Sequence, residues 1–175
     1  MNDQKIISLI TAEKIEKRVM ELADEISSDY AGREILLIGI LKGGWIFMSD
    51  LARNINSPLI CDFLWVASYG PGMKSSGEVK IVSDVSISVE GKDALIVEDI
   101  VDTGRTIKYL IDILGRRNPK SLRVCALLDK PDRREVSVEV DYTGFVIPDK
   151  FVVGYGMDHN EKFRSLSYIG YLDER

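Results

Sequence analysis

The sequence predicts an α/β protein: a central, mainly parallel sheet flanked by helices. Three observations carry that expectation. Ile35–Leu41, Ala94–Val97 and Leu122–Leu128 are short, apolar, strand-like runs of the kind that strands buried on both faces require. The first two are each followed by a turn and then a helical pattern, at Trp45–Asn54 and from about Thr106 to Leu114. The links between these segments are short, and strand, helix, strand in that order implies parallel pairing with helices covering the sheet.

Taken in order, the elements justify themselves locally. Thr11 can cap a helix running to about Ser28, with Glu13 in its first turn and Ile15, Val19, Leu22, Ala23 and Ile26 forming one apolar stripe at helical spacing. Gly43-Gly44 ends the strand Ile35–Leu41. Leu59–Ala67 reads as a further strand, and Val79–Val85 as another. Between them, Ser68–Gly77 holds three glycines, one proline and three serines in ten residues, a composition that cannot bury itself and suits an active-site lid. Asn118-Pro119 closes the helix before Leu122. The last fifty residues are less periodic: turn residues around Pro148, a strand-like Phe151–Val153, then an aromatic and charged tail.

The composition sets bounds. The chain has 175 residues, 45% apolar and 29% charged, with a formal net charge of −5. That length predicts a single domain over residues 1–175, and the balance is that of an ordinary globular protein. The acidic charge argues against a nucleic-acid partner. No apolar run approaches the roughly 20 residues needed to span a bilayer, so the expectation is a cytoplasmic protein without a membrane partner. Cys61 and Cys125 are too few and too far apart for a disulfide scaffold or zinc ribbon, and both are expected to be buried, reduced thiols.

The chemistry concentrates in Ala94–Thr106, ALIVEDIVDTGRT. A buried strand delivers two adjacent carboxylates, Glu98 and Asp99, at its C-terminal end, and Asp102-Thr103-Gly104-Arg105-Thr106 then opens a helix. In open α/β sheets, ligands sit outside the carboxyl ends of the strands. A helix N-terminus offers free N–H groups and the positive end of the macrodipole, which suits a phosphate. Gly104 allows close backbone approach, Thr103 and Thr106 add hydroxyls, and Arg105 adds charge. Carboxylates beside a phosphate site would repel the ligand unless they bind sugar hydroxyls or position Mg²⁺, which suits Glu98 and Asp99. Neither a G-x-x-x-x-G-K-[ST] loop nor a G-x-G-x-x-G after a strand occurs, which disfavours a P-loop NTPase and a dinucleotide enzyme.

This segment resembles the thirteen-residue phosphoribosyl-pyrophosphate (PRPP) binding motif of type I phosphoribosyltransferases. Four further segments resemble the 6-oxopurine branch, hypoxanthine or hypoxanthine-guanine phosphoribosyltransferase: ILKGG (Ile40–Gly44), SYG (Ser68–Gly70), LLDKP (Leu127–Pro131) and IPDKFVVGYGMDHNEKFR (Ile147–Arg164). They occur in family order, and the resemblance covers the chain from about Ile6 onward. It implies the type I phosphoribosyltransferase fold with a small hood built from N- and C-terminal segments. It also implies Mg-dependent purine salvage: PRPP and hypoxanthine, and guanine, would give IMP or GMP and pyrophosphate.

The resemblance assigns roles residue by residue. Asp102 would be the general base at the purine N7, and Asp102–Thr106 would wrap the 5′-phosphate; Arg105 stands where the family often has lysine. Glu98 and Asp99 would serve the ribose and Mg²⁺, with Asp158 as a further metal ligand. Lys42, Gly43 and Arg164 would meet pyrophosphate, with a cis peptide at Leu41–Lys42. Lys130 would donate to the purine O6, Phe151 would stack on the base, and the Val152 backbone would bond its edge. Ser68 and Tyr69 would belong to the flexible loop that closes over the reacting carbon. His159, a lone histidine, makes no metal site and is read as a bystander. Relatives form dimers or tetramers, so a homo-oligomer is expected. The alternatives are a xanthine-preferring relative and a PRPP-binding regulator of the same fold. The regulator would be expected to carry an added domain or a basic face, and the acidic charge weighs against the latter.

Overall fold

The computed structural model describes residues 6–68 and 79–172. In chain order the elements are β1 (Ile6–Ile10), α1 (Ala12–Asp29), β2 (Ile35–Leu41), α2 (Trp45–Asn54), β3 (Leu59–Ser68), β4 (Val79–Ser83), β5 (Asp93–Val101), α3 (Arg105–Gly115), β6 (Ser121–Asp129), β7 (Tyr142–Val146), β8 (Val152–Val153) and β9 (Ile169–Leu172). Thr11 caps α1 by accepting from the Lys14 N–H at 3.4 Å, and its five-residue apolar stripe is buried throughout.

Six strands form the main sheet in the order β4-β3-β2-β5-β6-β7, parallel except for β4 at one edge. From β2 the chain crosses through α2 to β3 on one side. From β5 it crosses through α3 to β6 on the other. The order therefore reverses between β2 and β5, and a crevice opens there at the carboxyl ends of the two strands.

The period-2 alternation of the strands feeds two cores. Ile35 and Leu37 of β2, Leu95 and Val97 of β5, and Cys125 and Leu127 of β6 face α1 and α2. Leu36, Ile38 and Ile40, Ala94 and Ile96, and Val124 and Ala126 face the other way, toward Ile107, Leu110 and Leu114 of α3. Gly39 lets α2 close on the sheet, since a Cβ there would lie 2.2 Å from Met48 Sδ. A separate three-stranded antiparallel sheet, β1-β9-β8, joins the two ends of the chain beside the crevice.

Three expectations need correction. The strand expected at Ala94–Val97 runs from Asp93 to Val101, because Glu98 and Ile100 continue the ladder with Ala126 and Leu128 of β6. Val79–Val85 shortens to Val79–Ser83. Cys125 is buried, but Cys61 is exposed. Cys61, Phe63 and Trp65 alternate onto the α2 side of β3, and α2 packs over β2 and β5 and leaves that face open. The expected lid, Ser68–Gly77, lies outside the described residues apart from the main chain of Ser68, which ends β3; Tyr69 falls in that segment. Among the described residues, no helix is long and apolar enough to cross a membrane.

Candidate active site

Three segments converge at the crevice between β2 and β5. The β2–α2 turn brings Lys42 and Gly43, and its Leu41–Lys42 peptide is cis. The end of β5 brings Glu98 and Asp99, and the loop that follows brings Asp102–Gly104. The segment after β8 reaches over from the smaller sheet with Met157, Asp158, Glu161 and Arg164. The fit is close enough to require glycine. A Cβ on Gly43 would lie 1.6 Å from Asp99 Oδ2, and one on Gly156, which holds φ 102°, would lie 2.1 Å from the Gly43 carbonyl oxygen.

Two cavities share this floor. The larger, about 610 Å³, is lined by Lys42, Gly43, Asp99, Asp102, Lys130, Phe151, Val152, Asp158 and Arg164, among others. The smaller, about 250 Å³, lies against Glu98, Asp99, Asp102, Thr103, Gly104 and Thr106. Gly43, Asp99 and Asp102 border both, so most of the expected site residues gather around one continuous crevice, while Arg105, expected at the 5′-phosphate, lines neither cavity.

The smaller cavity lies at the N-terminus of α3. Gly104 takes the left-handed conformation at φ 83° as the N-cap of α3, and no side chain caps the helix through it. The loop is pinned from behind. Arg134 donates to the Asp102 carbonyl at 2.8 Å and is ion-paired with Asp129, while Glu135 and Val136 donate to the Thr103 carbonyl at 3.0 and 3.2 Å. Arg105 points to Glu135, with Nε 2.7 Å from its carboxylate. At this N-terminus the Arg105 N–H donates to the Thr103 hydroxyl at 3.4 Å, and the pinned loop lies against the cavity.

Glu98 and Asp99 are the unusual pair. Glu98 is 6% exposed, and its carboxylate accepts only from the Asp99 N–H, at 3.2 Å. Asp99 accepts from the Ile100 N–H at 2.8 Å. Among the described residues, neither carboxylate has a basic side chain within salt-bridge distance. Burial, reinforced by the charge of Asp99, pushes the Glu98 carboxyl well above its ordinary value. Burial likewise raises Asp99, against its hydrogen bonds.

On the far wall, Lys130 is buried at the end of β6 with its ammonium 2.6 Å from the Lys150 carbonyl and 3.8 Å from Asp149. Val152 is buried in β8. Phe151 stands at the mouth, 60% exposed, with the His159 ring edge-on at 5.4 Å. The histidine read as a bystander thus supports the ring of Phe151. Asp158 borders the larger cavity with Asp99, but its carboxylate is spent on Arg164 at 2.8 Å and the Glu161 N–H at 2.7 Å. No group of three His, Cys, Asp or Glu side chains closes around a common point among the described residues.

Sequence reasoning missed two participants. Arg133 lies 3.2 Å from the Asp102 carboxylate and 3.7 Å from Asp149. Glu161 pairs with both Lys42 and Arg164. Both are ordinary charged residues between the regular elements, and the juxtaposition of distant segments brings Arg133 to Asp102 and Glu161 to Lys42.

Residues 8–160 match the phosphoribosyl transferase domain family. The chain is similar to the hypoxanthine-guanine phosphoribosyltransferase of Mycobacterium tuberculosis, 50% identical over 95% of this chain and 86% of that one. It is also 50% identical to the bifunctional protein TilS/HprT of Listeria innocua over 94% of its own residues, and it spans 25% of that relative's length. The crystal structure of a hypoxanthine phosphoribosyltransferase from Staphylococcus aureus matches with a TM-score of 0.92 at 46% identity, covering 98% of this chain and 93% of that one.

Proposed function

The chain belongs to the hypoxanthine-guanine phosphoribosyltransferases, and from that membership we propose that it transfers the 5-phosphoribosyl group of PRPP to hypoxanthine and guanine. The products are IMP or GMP and pyrophosphate, and the role is purine salvage. The observation that carries this reading is one crevice bordered by the N-terminus of α3, the adjacent carboxylates of Glu98 and Asp99, and the buried Lys130. Those three serve, in order, a phosphate, a ribose with its metal, and a 6-oxopurine.

The steps follow from the residues. The 5′-phosphate docks on Asp102–Thr106, where backbone N–H groups and the Thr103 and Thr106 hydroxyls replace its water. Glu98 and Asp99 accept from the ribose hydroxyls. The same pair fits Mg²⁺: two adjacent carboxylates without cations, oxygen donors only, leaving the rest of the shell to water and phosphate. When bound, the metal neutralises charge developing on the leaving pyrophosphate. Lys42, the Gly43 backbone and Arg164 grip that group from the other side.

The purine enters between Phe151 and Asp102. Lys130 donates to its O6, and a 6-amino purine is rejected because two donors would face each other. Asp102 takes the proton from N7 as the new bond to the anomeric carbon forms, which offsets positive charge on the base. The Lys130 donor and the Val152 backbone select a purine over a pyrimidine. The family relatives favour hypoxanthine over a xanthine-preferring or regulatory role. Asp158 joins the metal site only by releasing Arg164.

The same reading makes the protein a cytoplasmic homo-oligomer, a dimer or tetramer, organised as one domain with a hood. Trp45 of α2 and Phe63 of β3 are exposed apolar side chains that a second copy would cover, and sedimentation velocity tests this.

The direct test is a steady-state assay with PRPP and Mg²⁺, offering hypoxanthine, guanine, xanthine, adenine and uracil separately. IMP and GMP formation with adenine and uracil inert is the expected result. Silence with all five bases, despite PRPP binding, would falsify the assignment and point to a regulatory module.

A further inference from the structure

The two cations given above to pyrophosphate already hold an anion, and it comes from the chain itself. Lys42 stands on the β2–α2 turn and Arg164 on the hood segment, far apart in sequence and on opposite walls of the crevice. The Lys42 ammonium donates to Glu161 Oε1 at 3.0 Å, and Arg164 Nη2 donates to Glu161 Oε2 at 3.2 Å. Each carboxylate oxygen therefore serves one cation, and all three side chains line the larger cavity.

Glu161 is placed for this by its backbone. Its N–H donates to Asp158 Oδ2 at 2.7 Å, and its φ of 61° turns the loop back so that the side chain enters the crevice. Both cations pull its carboxyl below the ordinary value, Lys42 most strongly. The side chain is nonetheless 66% exposed. Exposed ion pairs of this kind are individually weak. They are strong enough to hold two long side chains in place and weak enough to yield to a polyphosphate with several charges. Arg164 keeps its bond to the Gly156 carbonyl when Glu161 leaves, so its guanidinium stays oriented.

We propose that Glu161 is an internal stand-in for the pyrophosphate group: in the empty enzyme its carboxylate occupies the subsite between Lys42 and Arg164, and it must let go of both cations when pyrophosphate or PRPP binds. This rests on the assignment of Lys42 and Arg164 to pyrophosphate. Its consequence is kinetic as well as thermodynamic. The carboxylate competes with the leaving group, weakens its hold and re-enters as pyrophosphate departs, which speeds product release. Glu161 acts through the two cations and is a positioning residue.

The test is calorimetric titration of inorganic pyrophosphate, with Mg²⁺, into the whole protein and two variants. Glu161→Gln removes the competitor, and pyrophosphate binds about three- to tenfold more tightly, the sum of two weak ion pairs. Glu161→Asp keeps the charge but is one methylene too short to span both cations, so it binds with intermediate affinity. In turnover, KM for PRPP falls in Glu161→Gln and kcat does not rise, a split that a merely structural surface pair would not produce. Equal or weaker pyrophosphate binding in Glu161→Gln overturns the proposal. So does tightening in Gln with none in Asp, which reduces the effect to net charge. If the wild-type protein itself binds no pyrophosphate, the assignment of Lys42 and Arg164 falls, and this inference falls with it.

Discussion

The two ends of β5 each carry buried acid, and the protein treats them in opposite ways. At the N-terminal end, Asp93 is 4% exposed and surrounded by donors: Arg33 at 3.0 Å, Lys120 at 3.3 Å and the Ser121 hydroxyl at 2.6 Å. Burial works to raise its pKa, but the bonds from Ser121 and Lys120 and the charge of Arg33 outweigh it, and the carboxyl is held below its ordinary value. At the C-terminal end, Glu98 is buried with Asp99 half-buried beside it; both accept from backbone N–H groups, neither has a cation within salt-bridge distance among the described residues, and both rise. A carboxylate that a fold needs is satisfied by the fold. One left buried and unsatisfied costs stability and is retained for a ligand that supplies the missing charge. On the proposed function, the difference separates a structural acid from a functional one on a single strand.

That contrast can be broken by substitution. The largest expected effect is at the functional end: Asp102→Asn lowers kcat by about 10²–10⁴-fold, the usual span for a lost general base, with PRPP affinity nearly kept. Unchanged turnover would remove Asp102 from proton transfer. Next, Glu98→Gln combined with Asp99→Asn weakens Mg-PRPP about 10- to 100-fold, and thermal unfolding shows the variant at least as stable as the wild type, because a buried repulsion has gone. Asp93→Asn does the reverse. It destabilises by about 1–3 kcal/mol in denaturant titrations and leaves KM and kcat in place.

The smallest effect sharpens the comparison through pH. Asp93 has a depressed folded pKa, so its stabilisation is present above the unfolded value of about 3.9 and is lost as pH falls through the folded one. Glu98 has a raised folded pKa, so its contribution is intact below the unfolded value of about 4.3 and is lost as pH climbs through the folded one. Melting curves across pH 3–8 should therefore show an acid-side decline that Asp93→Asn removes. They should also show a decline toward neutrality that Glu98→Gln with Asp99→Asn removes. Mg²⁺ should lift the neutral-pH melting temperature of the wild type and leave that double variant unmoved.

The strongly patterned parts of the chain were readable from sequence. α1, β2, α2 and α3 carry full periodic signals, and the bounds of α1 and α2 fall within a residue of those expected. β1, β7 and β9 were not seen, because five or four residues with mixed exposure carry no period of their own; β1 becomes a strand by pairing with β9 across the whole chain, and β9 by pairing with both β1 and β8. Cys61 was misjudged for a related reason. An apolar run marks a strand but does not reveal which face a helix will cover. In the site, contiguous motifs were visible, and so Glu98, Asp99 and Asp102–Thr106 stood out together. Arg133 and Glu161 had no local signal that marked a site, since Asp102 and Lys42, the partners that place them there, lie 31 and 119 residues away in sequence.

The central claim is that the carboxyl end of β5, and not its amino end, is built for Mg-PRPP. Calorimetric titration of Mg-PRPP into the wild type, Asp93→Asn, and Glu98→Gln with Asp99→Asn tests it most directly. The account predicts equal affinity for the first two proteins and a loss of tenfold or more in the third, with its fold intact. Equal affinity in all three, or the larger loss in Asp93→Asn, would contradict it.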